Sequence, residues 1–230
     1  MSRLPRIVIP QVAHHVTQRG NRRQRVFFED SDYALYLDLM AQACRDNGVE
    51  VWSYCLMPNH VHLVMVPSDR NGLSRAVGET HRRYSGYINA RLRVIGHLFQ
   101  GRFGCVAMDE AHLIAAVRYI ALNPLKASLV TQATAWQWSS AAALAAGRND
   151  VLVNVEPVLK RIGDFMVFMG QPEDSDRSKA LERGLTIGRP LMDTSALAEV
   201  ERQLGVSVVP RKRGPRPAKR GDSANQESLL

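Results

Sequence analysis

Two histidines at spacing i, i+2, His60 and His62, stand in the apolar run Leu56-Met57-Pro58-Asn59-His60-Val61-His62-Leu63-Val64-Met65-Val66-Pro67. The Pro-Asn pair marks a turn, and the residues after it read as a strand, in which successive side chains point to opposite faces. His60 and His62 then share a face with Val64 and Val66, while Val61, Leu63 and Met65 face helices on the other. Two neutral imidazoles held side by side can each offer a nitrogen to one divalent ion. Further on, Val117-Arg118-Tyr119-Ile120-Ala121-Leu122-Asn123-Pro124 reads as a helix near its end, because the residue before a proline is pushed out of helical backbone. Tyr119 and Asn123 lie one turn apart on one face of it. The set predicts a metal ion held by His60, His62 and Asn123, with Tyr119 beside it.

That chemistry suits a phosphodiester. An ion so held polarises a phosphate as a Lewis acid, and a tyrosine can attack phosphorus to leave a covalent phosphotyrosine. The ester energy is retained in that bond, so rejoining a strand calls for no nucleotide cofactor. One ion suffices because the nucleophile is a side chain and not water. Phosphate oxygens favour a hard ion, Mg²⁺ or Mn²⁺, and the imidazoles lean toward Mn²⁺. Singly, each feature has an ordinary structural reading: a His-x-His strand, a core aromatic, a helix stopped by proline. Tyr84 and Tyr87 are rival nucleophiles, but Tyr119 has an amide partner one turn later.

The 230 residues carry a net charge of +8 with 45% hydrophobic residues. That is room for one domain with a real core plus an appendage, and the charge favours an anionic partner, nucleic acid first. Cys44, Cys55 and Cys105 are odd in number and widely spaced, without a Cys-x-x-Cys. This excludes a disulfide framework and a zinc ribbon and predicts buried free thiols. Arg3 and Arg6 precede no long apolar run, so no signal peptide is visible. No stretch is long enough to span a bilayer. A cytoplasmic, nucleoid-associated protein is expected.

The elements that must position these groups read in order. A strand over residues 11–19 is followed by a helix over 32–47 behind Ser31 and a strand over 49–56. The histidine strand comes next, then a helix over 73–93, a strand ending near 108, and a helix capped by Asp109 that carries Tyr119. Strand, helix, strand, strand, helix, strand is the ferredoxin-like order of an α+β fold. It gives an antiparallel sheet with two helices on one face and the first and third strands central. The extra helix would bring Tyr119 to the histidine strand. His14 and His15 are not counted as ligands. The Gly20-Asn21-Arg22-Arg23 loop could bind phosphate through Arg22 and Arg23, and the long helix could track a backbone through Arg82 and Arg83. Residues 1–145 are expected to form the catalytic domain. Residues 146–205 are expected as a helical appendage, with a helix from Glu156 in an apolar stretch, a polar linker over 171–177 and a helix behind Thr194. Residues 206–230 read as a disordered basic tail whose Arg211, Lys212 and Arg213 cling to phosphates.

Four segments now agree in order: Val16-Thr17-Gln18-Arg19-Gly20-Asn21, Met57-Pro58-Asn59-His60-Val61-His62-Leu63, Gly96-His97-Leu98-Phe99-Gln100-Gly101-Arg102-Phe103 and Arg118-Tyr119-Ile120-Ala121-Leu122-Asn123-Pro124. Over about residues 8 to 145 the chain resembles the REP-associated tyrosine transposases, single-tyrosine members of the histidine-hydrophobe-histidine (HUH) enzymes that act on single-stranded DNA. The resemblance implies cleavage and joining of single-stranded DNA at palindromic, REP-like hairpins beside a short guide sequence, through a 5′-phosphotyrosine and a free 3′-OH. It implies Tyr119 as nucleophile and His60, His62 and Asn123 as metal ligands, and it leaves monomer or homodimer open. Arg19, Gln100 and Arg102 fall within the shared segments and are expected at the DNA. Phe99 stands where many relatives carry tryptophan and would still stack on a base. Two other readings stand beside this one. The first is a non-catalytic regulator that grips hairpin DNA or RNA; the second is a water-using metal phosphodiesterase, for which the carboxylate cluster is missing.

Overall fold

The computed structural model describes residues 6–205, so the predicted contacts of Arg211, Lys212 and Arg213 lie outside the described residues. The elements are β1 (His14–Arg19), α1 (Asp30–Asp46), β2 (Val49–Met57), β3 (His60–Pro67), α2 (Gly72–Leu92), β4 (Gly104–Ala107), α3 (Glu110–Lys126), α4 (Ala141–Ala146), α5 (Glu156–Ile162), α6 (Phe165–Gly170), α7 (Ser175–Ile187) and α8 (Thr194–Leu204). The four strands form one antiparallel sheet in the order β2-β3-β1-β4. This is the expected ferredoxin-like α+β arrangement, and it puts the histidine strand in the middle of the sheet.

Both faces of β3 are buried beyond His60, so helices cover the sheet on both sides. Val61, Leu63 and Met65 meet the layer made by α1 and α2. His62 and Val64 point the other way, toward α3. α1 opens with a capping box in which Glu29 and Asp32 satisfy one another's backbone N–H groups, two residues earlier than a cap at Ser31 would place it. Asp32 is buried and also accepts from Arg91 Nη2 at 2.8 Å, which ties α1 to α2. Leu73, Val77, Tyr84 and Ile88 form the buried stripe of α2. Tyr84 is sealed in the core with its hydroxyl donating to the Val26 carbonyl, so it is no nucleophile.

α3 ends at Lys126, two residues past Pro124 and near where its sequence suggests. Ala127 N–H donates to the Asn123 carbonyl and Leu129 N–H to the Pro124 carbonyl, and these bonds close the turn that the proline would otherwise leave open. The apolar stretch after 150 is two short helices, α5 and α6, because Gly163 takes a left-handed φ of +69° between them. The expected linker over 171–177 instead contains the start of α7, whose cap is Asp174 accepting from Arg177 N–H. α7 lies against β1, β4 and α3. Leu181 of α7 is fully buried, and it joins Val153, Val158, Phe165 and Phe168 in the same core as the sheet. A side chain at Gly104 would place its Cβ 2.9 Å from Thr17 Oγ1 and 3.5 Å from Leu185, so the absence of one lets α7 approach the sheet. Arg118 holds the far end of this layer by donating to the Phe168 and Gln171 carbonyls. Cys44, Cys55 and Cys105 are buried free thiols. Among the described residues, no helix is long and apolar enough to cross a membrane.

Candidate active site

Strand register builds the site. β1 and β3 pair Thr17 with His62 and Arg19 with His60, so His15, Thr17 and Arg19 share the histidine face. His62 Nδ1 lies 3.0 Å from His15 Nε2, and His60 Nδ1 lies 2.6 Å from Asn59 Oδ1. Each histidine of the pair is thus held through Nδ1, which leaves Nε2 as the nitrogen to offer. Their rings are 4.9 Å apart between centroids. Tyr119 comes in from α3 and meets His62 edge-on at 5.6 Å and His15 at 6.1 Å. The four rings form one cluster, with His15 buried behind the other three, which line a cleft of about 480 Å³ together with Arg19, Gln100 and Glu182.

Burial decides the charge of these groups. It lowers the His60 pKa to about 4, with the Arg19 charge adding to the effect. His62 is held well below the ordinary histidine value by burial first, then by His15, His60 and Arg19. His15 falls to about 3 through burial alone. All three are neutral at pH 7, the state in which an imidazole binds a metal. Tyr119 moves the other way, up to about 12, through burial first and then the Glu182 carboxylate, to which its hydroxyl donates at 3.3 Å.

The two imidazole nitrogens of His60 and His62 at the cleft fit a divalent ion that keeps several positions for water or phosphate oxygens, the chemistry of Mn²⁺ or Mg²⁺ more than of a closed zinc site. Among the described residues no cluster of three or more His, Cys, Asp or Glu side chains stands ready to hold an ion alone. A metal on His62 Nε2 requires the proton on Nδ1, with His15 Nε2 accepting it. His15 Nδ1 is buried and has no partner, so the tautomer of this pair is set locally and not by a wider network.

The other predicted residues are distributed unevenly. Asn123 is off the cleft wall, and its Nδ2 donates to the Tyr119 carbonyl at 2.8 Å. Arg19 and Gln100 are on the wall and are joined by a 2.8 Å bond from Gln100 N–H to the Arg19 carbonyl. Arg22, Arg23 and Arg102 are exposed in the loops beyond it. Arg82 and Arg83 sit on the outer surface of α2, across the sheet from the histidines, and Arg82 is paired with Glu79 at 2.8 Å. Phe99 is not open to a base: its ring is 7% exposed and stacks on His81 at 4.4 Å, inside the α2 layer. Two contributors escaped the sequence reading. His15 could have been found once β1 was known to pair with β3. Glu182 gives no local signal, since it lies 63 residues from the tyrosine it touches.

The family model described as "Transposase IS200 like" matches residues 8–123. The chain belongs to the IS200-like transposase family. The matched region of this transposase ends at Asn123, so it contains His15, His60, His62 and Tyr119 but not Glu182, which α7 adds from outside it. No curated protein matches the transposase. Among solved structures, it is similar to a REP-associated tyrosine transposase bound to a REP hairpin. The TM-score is 0.56 at 22% identity, over 67% of this chain and 93% of that one. A protein of Deinococcus radiodurans R1 described as a transposase matches with a TM-score of 0.37 at 19% identity, over 52% of this chain and 95% of that one.

Proposed function

We propose that this transposase is a metal-dependent single-stranded DNA endonuclease and strand transferase that acts at palindromic, REP-like hairpins through a 5′-phosphotyrosine. The observation that carries the reading is the convergence of Tyr119, His60 and His62 on one cleft rimmed by Arg19. His60 and His62, with Asn123 one helical turn from Tyr119, would hold the Mg²⁺ or Mn²⁺ ion. When bound, that ion neutralises charge on the scissile phosphate. The Tyr119 oxygen attacks phosphorus, the bond from phosphorus to the 3′ oxygen breaks, and that oxygen takes a proton from solvent to leave as a 3′-OH. The phenol proton passes toward Glu182, the acceptor it already faces at 3.3 Å. Rejoining reverses the step: a 3′-OH attacks the phosphotyrosine and the phenol recovers its proton. Arg19 supplies fixed positive charge where the phosphate must sit. The hairpin assignment draws on the four sequence segments and on the REP hairpin bound by the solved transposase of similar fold.

The test is a denaturing gel of the protein mixed with single-stranded hairpin DNA and Mn²⁺ or Mg²⁺. A covalent adduct is expected with the unaltered protein and none with Tyr119→Phe; an adduct that survives the substitution sinks the assignment. A second reading, a hairpin-binding regulator without catalysis, is favoured by the placement of Asn123 off the cleft wall. Hairpin affinity without Mn²⁺ uptake in calorimetry would select it.

A further inference from the structure

α2 ends at Arg93, a non-glycine residue in the left-handed region with φ +54°, and the chain then turns outward through Val94, Ile95 and Gly96. Two hydrogen bonds pin this excursion to the helix: Val94 N–H to the Asn89 carbonyl at 3.0 Å and Asn89 Nδ2 to the Gly96 carbonyl at 2.9 Å. Ile95 at the tip is 100% exposed, and Leu92 and Val94 beside it are about half exposed. A fixed loop that presents a branched aliphatic side chain wholly to solvent contributes nothing to the core and has no reason in the fold.

The returning limb of the loop leads directly to the cleft. Asn21 N–H donates to the Leu98 carbonyl, and Gln100 N–H to the Arg19 carbonyl, both at 2.8 Å. Arg19 and Gln100 are cleft residues. The same bonds bring the turn at 21–23 alongside, where Arg22 and Arg23 are exposed and both adopt positive φ, 52° and 62°. Consecutive non-glycine residues in that conformation are costly and collect where a ligand is clamped. Arg93 adjoins the apolar tip in the chain, and the bond from Asn21 to Leu98 brings the exposed Arg22 and Arg23 turn beside the returning limb.

We propose that Ile95 is a wedge that enters the base stack at the foot of a DNA hairpin while the flanking arginines hold its phosphates; this rests on the hairpin reading above. Phosphates give an aliphatic side chain nothing to bind. The apolar surface of DNA is the face of a base, and it opens to protein when a step is unstacked. A second copy of this chain is the poorer occupant, because a self-contact at the tip would bring like charges together. Five chain steps run from Ile95 to Gln100, which bounds their Cα separation at about 18 Å and keeps the opened step near the cleft.

The experiment uses the full chain and hairpins with single-stranded flanks, selected for binding from a pool of randomised stems. 2-Aminopurine is placed at successive positions along the stem foot. The unaltered protein is expected to raise fluorescence at one step. Ile95→Ser is expected to abolish that rise while Kd increases by less than about 10-fold, and Ile95→Phe to restore it. Because Ile95 touches no core, both variants should fold, and urea midpoints check this. A rise that persists in Ile95→Ser overturns the wedge, as does a change of oligomeric state in that variant by sedimentation. Tight hairpin binding with no brightened position overturns the wedge and leaves the proposed function standing. Failure to bind any hairpin overturns both.

Discussion

Replacing Glu182 by glutamine removes a negative charge 3.3 Å from the Tyr119 hydroxyl while keeping an oxygen that can accept its hydrogen bond. The carboxylate favours the protonated phenol, so the substitution should lower the Tyr119 pKa. The magnitude follows from geometry. Glu182 is exposed, and the bulk-water dielectric is the right screening limit for its charge. Coulomb's law at 3.3 Å then gives about 1.3 kcal/mol, close to a tenfold change in acidity. The phenol, held up to about 12 by burial first and Glu182 second, should titrate lower in Glu182→Gln than in the unaltered protein. The assay is a spectrophotometric titration at the tyrosinate band in the absence of metal. Subtracting the same titration of a Tyr119→Phe background isolates this group from the other five tyrosines of the six in the chain. Burial is unchanged by the substitution, so its larger effect should remain and the phenol should stay above the ordinary tyrosine value. A Tyr119 midpoint that does not move would show that α7 does not hold Glu182 against the phenol, and the role given to that helix in the site would fall with it.

Leu181→Ala deletes a fully buried anchor of α7 and should cost about 2–5 kcal/mol in a urea titration; less than 1 kcal/mol would mean α7 is not seated on the core. Titration calorimetry should find no Mn²⁺ uptake by His62→Ala, and uptake weakened by about 10- to 100-fold in His15→Ala, which removes only the partner of the ligand. Equal affinities in all three proteins would refute the metal site. Stability should also fall with acid before the carboxylates titrate. His14 is held at about 4 by burial, against the opposing pull of its bond to Val12, and His81 is held at about 3 by burial. Between these values and 6.5 the unfolded chain binds protons that the folded chain does not. Their contribution is therefore complete above about pH 6.5 and is lost as pH falls from there toward the folded values, at most roughly 3 kcal/mol for His14 and roughly 5 kcal/mol for His81. His14 makes the reason concrete: its Nε2 accepts from Ile9 N–H at 3.1 Å, and a proton there would break that bond. A urea midpoint that stays flat from pH 7 to 4.5 would contradict this.

Local pattern was enough for much of this protein. Alternation placed His60 and His62 on one face of a strand, helical spacing placed Asn123 one turn after Tyr119, and the order of elements placed the histidine strand at the centre of the sheet. These inferences hold because strand and helix periods act over a few residues and do not depend on what lies across the molecule. Other features were decided by contacts between distant segments. Phe99 looked like a free aromatic in a loop, but the bridge between Gly20 and Phe99 draws the loop against β1 and turns the ring onto His81. His15 acquired its place at His62 from the pairing of β1 with β3, a register that no residue of β1 encodes alone. Glu182 reaches Tyr119 because Leu181 is buried and Gly104 has no side chain, two facts about packing. A tyrosine and its helix can be read along a chain, whereas the charge beside that tyrosine depends on which surface a later helix covers, and burial of apolar area between segments sets that choice.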